Sequence, residues 1–267
     1  MPELIEVERY GEAALAVRGR RIARVVVIDP RVVSGGPSSL AELRGCRVTG
    51  VRRRGKLLLL DTSAAGAAEV SGPVLGLRFG MTGSLVIDGQ PAIERLRYSS
   101  PASAERAVRL RVEFDEGGGL ALHDPRRFGR AQLDPDESAL GPEARGIGVT
   151  QLRSVLAVRH GPGPPLKARL MDQSRLAGLG NLLVDEILWR TGLSPRRACD
   201  ALDDAEVRRL ARGVRGTVEV LIGRGGSHTG DLMEERRRDG RCPRDGAPLQ
   251  RIEVGGRTTY WCPVHQH

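Results

Sequence analysis

The chain has 267 residues, of which 40% are hydrophobic, 28% charged and only 3% aromatic, a globular balance that excludes a disordered or fibrous chain. Its 42 lysines and arginines against 33 acids leave a net charge of +9, a surplus that favours a polyanionic partner, with nucleic acid first. No stretch approaches the run of about 18 apolar residues that a membrane helix needs, and the N-terminus carries acids where a signal peptide carries basic residues, so a cytoplasmic protein with no membrane partner is expected.

A short helical pattern at Leu4, Val7, Tyr10 and Ala14 opens the chain. The first half then reads as strands: "RIARVVVID", "CRVTGVRRRGKLLLLDT", "VLGLRFGMTGSLVID", "AVRLRVEFD" and "GLALHD". Several alternate apolar and charged residues with glycine-bearing turns between them, the pattern of half-buried antiparallel strands. A β-sandwich domain over residues 1–138 is expected. Alanine, glycine and proline thicken over 139–165, through "GPEARGIG" and "HGPGPP", which predicts a linker. From Leu166 the period turns helical, through "LKARLMDQ", "GNLLVDEILWRTG" and "DDAEVRRLARGVRGTVEVLI", which predicts a helical domain over 166–226. Asp203 with Glu206 three residues on has the form of a capping box. A small cysteine-containing element closes the chain, residues 240–267.

Four cysteines, at 46, 199, 242 and 262, are too few and too scattered for a disulfide framework; Cys46 and Cys199 read as small packing residues. Only two of the 42 basic residues are lysines, Lys56 and Lys167. An ammonium on a flexible stem can approach a reacting atom and can titrate, which a guanidinium cannot, so both lysines are candidates for chemistry.

The N-terminus is "MPELIEVE". Removal of Met1 before proline leaves Pro2 with a free secondary amine. An α-amino group titrates near 8 against about 10.4 for lysine, which favours its uncharged form at neutral pH by about 3 kcal/mol. Such an amine attacking a sugar C1′ gives an iminium, an electron sink for elimination, and the adjacent Glu3 can shuttle protons.

Six segments, in order and across essentially the whole chain, resemble the formamidopyrimidine-DNA glycosylase and endonuclease VIII family of base-excision enzymes. "MPELIEVE" is similar to that family's start, "RRRGKLLLL" to its hairpin-lysine segment, and "GMTGSL" and "HDPRRFG" to its lesion-void-filling loops. "LMDQSRLAGLGNLLVDEIL" resembles its helix-two-turn-helix signature and "GRTTYWCPVHQ" its C-terminal finger. The resemblance implies an α+β multidomain fold: an N-terminal β-sandwich, a helix-two-turn-helix domain and a C-terminal β-hairpin of zinc-finger type. It implies Pro2 as Schiff-base nucleophile, Glu3 as acid/base, Glu6 as an accessory carboxylate near the sugar, and Lys56 as the hairpin lysine reaching the lesion nucleotide and its phosphate. Lys167 with Asn181 would hold a backbone phosphate, Arg257 would grip phosphates at the lesion, and Met81, Arg126 and Phe128 would enter the duplex where the damaged base leaves. "GLGN" at 178–181 also makes physical sense alone, since glycine lets backbone N–H groups and a helix N-terminus approach a phosphate.

The sequence departs from the family in four places. Ile5 stands where proline is usual, and Arg78 where histidine is usual, an exchange that keeps a phosphate contact available. The finger reads "CPRD" and "CPVH", so Cys242, Asp245, Cys262 and His265 offer the ligands for one structural Zn2+, with His267 as an alternative fourth. The stretch 227–241 is shorter than the family's loop over a flipped 8-oxoguanine, leaving oxidised pyrimidines, ring-opened purines and abasic sites open as substrates. The expectation is a monomeric glycosylase and abasic-site lyase on double-stranded damaged DNA, in a basic cleft, nucleoid-associated through that DNA. The alternative is a catalytically impaired damage-binding protein on the same scaffold.

Overall fold

The computed structural model describes residues 2–93 and 105–267; Met1, whose removal the Pro2 chemistry requires, lies outside them. The chain forms two compact units, Met1–Glu137 and Ser138–His267.

In the first unit, helix α1 (Leu4–Ala14) buries Leu4, Ile5, Val7, Tyr10 and Ala14, the apolar stripe that its 3.6-residue period places on one side. Strands β1 (Ile22–Val27), β2 (Arg47–Arg54), β3 (Leu57–Ala64), β4 (Ala67–Ser71), β5 (Leu75–Arg78), β6 (Ser84–Ile87), β7 (Gln90–Pro91), β8 (Val108–Phe114), β9 (Gly119–His123) and β10 (Arg130–Leu133) follow. They make two antiparallel sheets, β1-β8-β9-β6-β7 and β10-β5-β3-β2, with β4 paired to β3. Leu58, Leu60, Leu75 and Leu77 from one sheet and Leu85, Leu110, Val112 and Leu122 from the other share one core with Tyr10 of α1. This is the expected sandwich. Three strands carried no readable signal: β4, β7 and β10 are five, two and four residues long, too short to show a period.

The second unit holds α2 (Val149–Leu156), α3 (Leu166–Met171), α4 (Asn181–Thr191), α5 (Asp204–Arg224) and the hairpin β11 (Gln250–Val254) with β12 (Arg257–Trp261). Asp203 caps α5 as expected: its carboxylate accepts the Glu206 N–H at 2.8 Å, and Glu206 accepts the Asp203 N–H at 3.0 Å. The stretch 139–165, expected as a linker, is corrected. It contains α2, whose Leu152, Val155 and Leu156 are buried, and it belongs to the helical unit. Apolar residues at i, i+3 and i+4 are a helix face, hidden here because glycine and proline crowd both flanks. Cys46 and Cys199 are buried and unbridged, as packing residues should be. Among the described residues no helix is long and apolar enough to cross a membrane.

Candidate functional site

Pro2 and Glu3 are buried at the head of α1. Glu3 is the N-cap, and its main-chain N–H donates to Glu6 Oε2 at 2.8 Å. Glu6 therefore spends one oxygen on fixing the backbone next to Pro2. The same helix also orients the lysine hairpin: Arg53 of β2 donates to Glu8 Oε2 at 2.6 Å and to the Gly55 carbonyl at 2.8 Å. Gly55 and Lys56 form the β2–β3 turn, and Lys56 is half-buried there. Tyr10 packs against Phe79 with ring centroids 4.4 Å apart, and its hydroxyl donates to the Gly83 carbonyl at 3.3 Å. Burial, foremost, and then the Glu6 carboxylate push the Tyr10 phenol well above its ordinary range, so it stays a neutral strut.

Arg78 ends β5, and the loop after it carries Met81; the loop between β9 and β10 carries Arg126 and Phe128. Met81 and Phe128 are 44% and 50% exposed, unusual for large apolar side chains on a rigid frame. The two loops are held together by Asp124, a fully buried residue. Its carboxylate accepts Thr82 Oγ1 at 2.7 Å, the Arg126 N–H at 3.2 Å and the Gly129 N–H at 2.6 Å. Gly80 has φ +59°, and a Cβ there would lie 2.5 Å from the Phe128 carbonyl carbon, so the loops touch only because this residue is glycine. The Arg126 guanidinium stands over the Phe128 ring at 5.0 Å, within cation–π range. Sequence reasoning missed Asp124; its signal was present in "HDP", an acid opening a loop.

In the second unit, Gly178 has φ +109°, and the turn it permits leads through Gly180 into α4 at Asn181. Gln173 braces that turn, accepting from the Gly178 N–H and donating to the Leu179 carbonyl, both at 3.0 Å. Asn181 Nδ2 donates to the Thr258 carbonyl at 3.1 Å, which brings it beside the hairpin that carries the exposed Arg257.

Lys167 is corrected. It is completely buried, with Nζ 2.6 Å from Asp185 Oδ1, 2.8 Å from Thr259 Oγ1 and 3.3 Å from the Thr258 carbonyl. A lysine in that position holds protein groups together and has no face for a phosphate. Its closeness to Asn181 was legible; its burial was not, because the partner Asp185 lies 18 residues away.

Cys242, Asp245, Cys262 and His265 converge as expected, their ligand atoms all within 4.8 Å of one another, and they can hold a metal ion. His267 is outside the cluster. His265 Nε2 donates to the Trp189 carbonyl at 3.1 Å, since a carbonyl can only accept. The Nδ1 lone pair of a neutral imidazole then faces Asp245 Oδ2 at 2.8 Å and Cys242 Sγ at 3.5 Å. Two acceptors in that position call for a cation between them. The Ala247 N–H, foremost, and then His265 hold the Asp245 carboxyl well below the usual carboxylate range, whereas burial pushes the Cys262 thiol up to about 11.

A two-sheet sandwich headed by Pro2-Glu3, joined in sequence to a helix-two-turn-helix unit with a ligand-bearing hairpin, defines a DNA glycosylase of base-excision repair. Residues 1–131 match the formamidopyrimidine-DNA glycosylase N-terminal domain, and residues 140–232 match the formamidopyrimidine-DNA glycosylase H2TH domain. The chain belongs to the formamidopyrimidine-DNA glycosylase and endonuclease VIII family. It is 34% identical to the formamidopyrimidine-DNA glycosylase of Paracoccus denitrificans over 100% of both chains, and 34% identical to that of Deinococcus radiodurans over 100% of this chain and 97% of that one. Among solved structures it is similar to Lactococcus lactis Fpg (MutM) in complex with DNA containing N7-benzyl-Fapy-dG, with TM-score 0.80 and 27% identity over 99% of each chain. The same Lactococcus enzyme with DNA containing an abasic site matches with TM-score 0.80, 26% identity and 99% coverage of each.

Proposed function

We propose that the chain is a bifunctional glycosylase and abasic-site lyase that excises oxidised or ring-opened bases through Pro2 and cuts the strand by β,δ-elimination. The observation that carries this is the head of α1, where Pro2 directly precedes a buried Glu3 whose backbone Glu6 fixes. With Met1 removed, the Pro2 nitrogen attacks C1′ of the damaged nucleoside, and the bond from C1′ to the base breaks as Glu3 delivers a proton. The resulting iminium accepts the electrons of a C2′ deprotonation, and the 3′-phosphate leaves. A second elimination releases the 5′-phosphate, and water frees Pro2.

Several other residues support this reading by what they can do to damaged duplex DNA. Lys56, Arg78, Asn181 and Arg257 supply donors for phosphates. Met81 and Phe128, exposed on braced loops, replace lost stacking, and Arg126 satisfies the orphaned partner base. The DNA named in the Lactococcus complexes supports the same partner.

Zinc suits the donor set at the hairpin. Bonds of about 2.0–2.3 Å imply ligand separations near 3.3–3.8 Å in a tetrahedron, and Cys242 with His265 at 3.5 Å and Cys262 with Asp245 at 3.3 Å lie at that spacing. Such an ion, when bound, cross-links the two ends of the finger. Cys242, Asp245, Cys262 and His265 would hold it, with the Trp189 carbonyl setting the histidine tautomer.

Borohydride reduction in the presence of an abasic duplex tests the reading. Wild-type protein should give a covalent complex and Pro2→Gly almost none. Wild-type protein that binds the duplex without forming an adduct would instead be a damage-binding protein.

A further inference from the structure

Asn181 and Arg257 stand on different elements, α4 and β12, and a buried carboxylate joins those elements. Asp185, one turn beyond Asn181 on α4, is 2% exposed. Its Oδ1 takes Lys167 Nζ at 2.6 Å, and its Oδ2 takes the Arg236 guanidinium and, at 3.3 Å, the main-chain N–H of Tyr260. Arg236 also stacks over the Tyr260 ring at 5.2 Å. Lys167 continues to Thr259 Oγ1 and to the Thr258 carbonyl, the same carbonyl that Asn181 Nδ2 reaches. One carboxylate thus serves two cations and a strand N–H, drawn from α3, from the segment before Cys242 and from β12.

A buried triad of this kind is a poor source of stability, because desolvation offsets the attraction. Its geometric demand is strict. A slip of β12 by one residue would take the Tyr260 N–H away from Asp185 and turn the Arg257 side chain to the opposite face of the hairpin.

We infer that Asp185 is a positioning residue: through Lys167, Arg236 and the Tyr260 N–H it sets the register of the β11–β12 hairpin on α4, and with it the spacing of Asn181 and Arg257. This rests on those two residues being the phosphate-binding pair. Asp185 itself touches no DNA.

The test compares Asp185→Asn and Arg257→Ala, singly and together, by titrating a fluorescent abasic duplex across a range of salt concentrations. Asp185→Asn should weaken binding at least tenfold with an unchanged slope of log affinity against log salt, because no phosphate contact is lost. In the Arg257→Ala background the same change should cost less than twofold, because the group being positioned is gone. Wild-type affinity for Asp185→Asn, or full additivity of the two changes, overturns the inference. If Asp185→Asn does not fold, Lys167→Met/Asp185→Asn removes one cation together with the carboxylate. That pair folding yet still binding tenfold more weakly supports a positioning role, and restored affinity overturns it. Arg257→Ala binding as well as wild type removes the phosphate reading itself, and this inference with it, whereas borohydride trapping by wild-type protein reports separately on Pro2.

Discussion

Trp189 holds two of the four metal-ligand residues at once: its indole N–H lies 3.2 Å from Cys242 Sγ, and its main-chain oxygen lies 3.1 Å from His265 Nε2. Groups behind the ligands orient them and tune their basicity, commonly by 10- to 100-fold in affinity. Trp189→Phe keeps the carbonyl and the packing but loses the N–H. It is expected to weaken metal binding by roughly tenfold or more, read by competition with a chromogenic chelator.

Metal uptake should release protons. Burial pushes the Cys262 thiol up to about 11, so in the metal-free protein it is a thiol at neutral pH, and binding as thiolate expels its proton. Apparent affinity therefore rises as pH rises toward that value and falls in acid. Titration of metal-free protein in a weakly buffered indicator solution measures the release; no colour change on saturation would contradict thiolate ligation.

Asp124 should matter for both stability and lesion handling. Asp124→Ala leaves the Thr82 hydroxyl and the Arg126 and Gly129 N–H groups without their acceptor, and stranded buried donors cost about 1–3 kcal/mol each. Urea unfolding should show a loss of about 3 kcal/mol after partial rehydration. Base excision should fall further than abasic-site cleavage, because the loops that fill the duplex lose their brace.

Gly80→Ala is expected to be more damaging than its size suggests. The added methyl would meet the Phe128 backbone at 2.5 Å, at a φ of +59°, so the Met81 and Phe128 loops must part. Glycosylase activity on a lesion opposite its partner base should drop at least tenfold, while binding to undamaged duplex changes little. Equal losses in both assays would place Gly80 in general folding instead.

Sequence and structure agree best where chemistry depends on residues close together in the chain. Pro2, Glu3 and Glu6 lie within one helical turn, the Lys56 turn sits inside a hairpin of eight-residue strands, and the two finger pairs keep their ligand spacing. Features set by distant partners were not legible. Lys167 looks like a phosphate contact until Asp185 and the hairpin enclose it, and Asp124 gains its role only when the loops of Thr82 and Gly129 meet. Helix α2 was masked by its glycine- and proline-rich flanks. The lysine count did locate two special positions: Lys56 at a hairpin turn and Lys167 at a buried junction.

The most direct measurement is the identity of the residue that becomes joined to DNA. After borohydride reduction on an abasic duplex, digestion and mass spectrometry should find the sugar remnant on a peptide beginning at Pro2, with Met1 absent. An adduct on Lys56, or full lyase activity in protein that retains Met1, would contradict the assignment of Pro2 as the nucleophile.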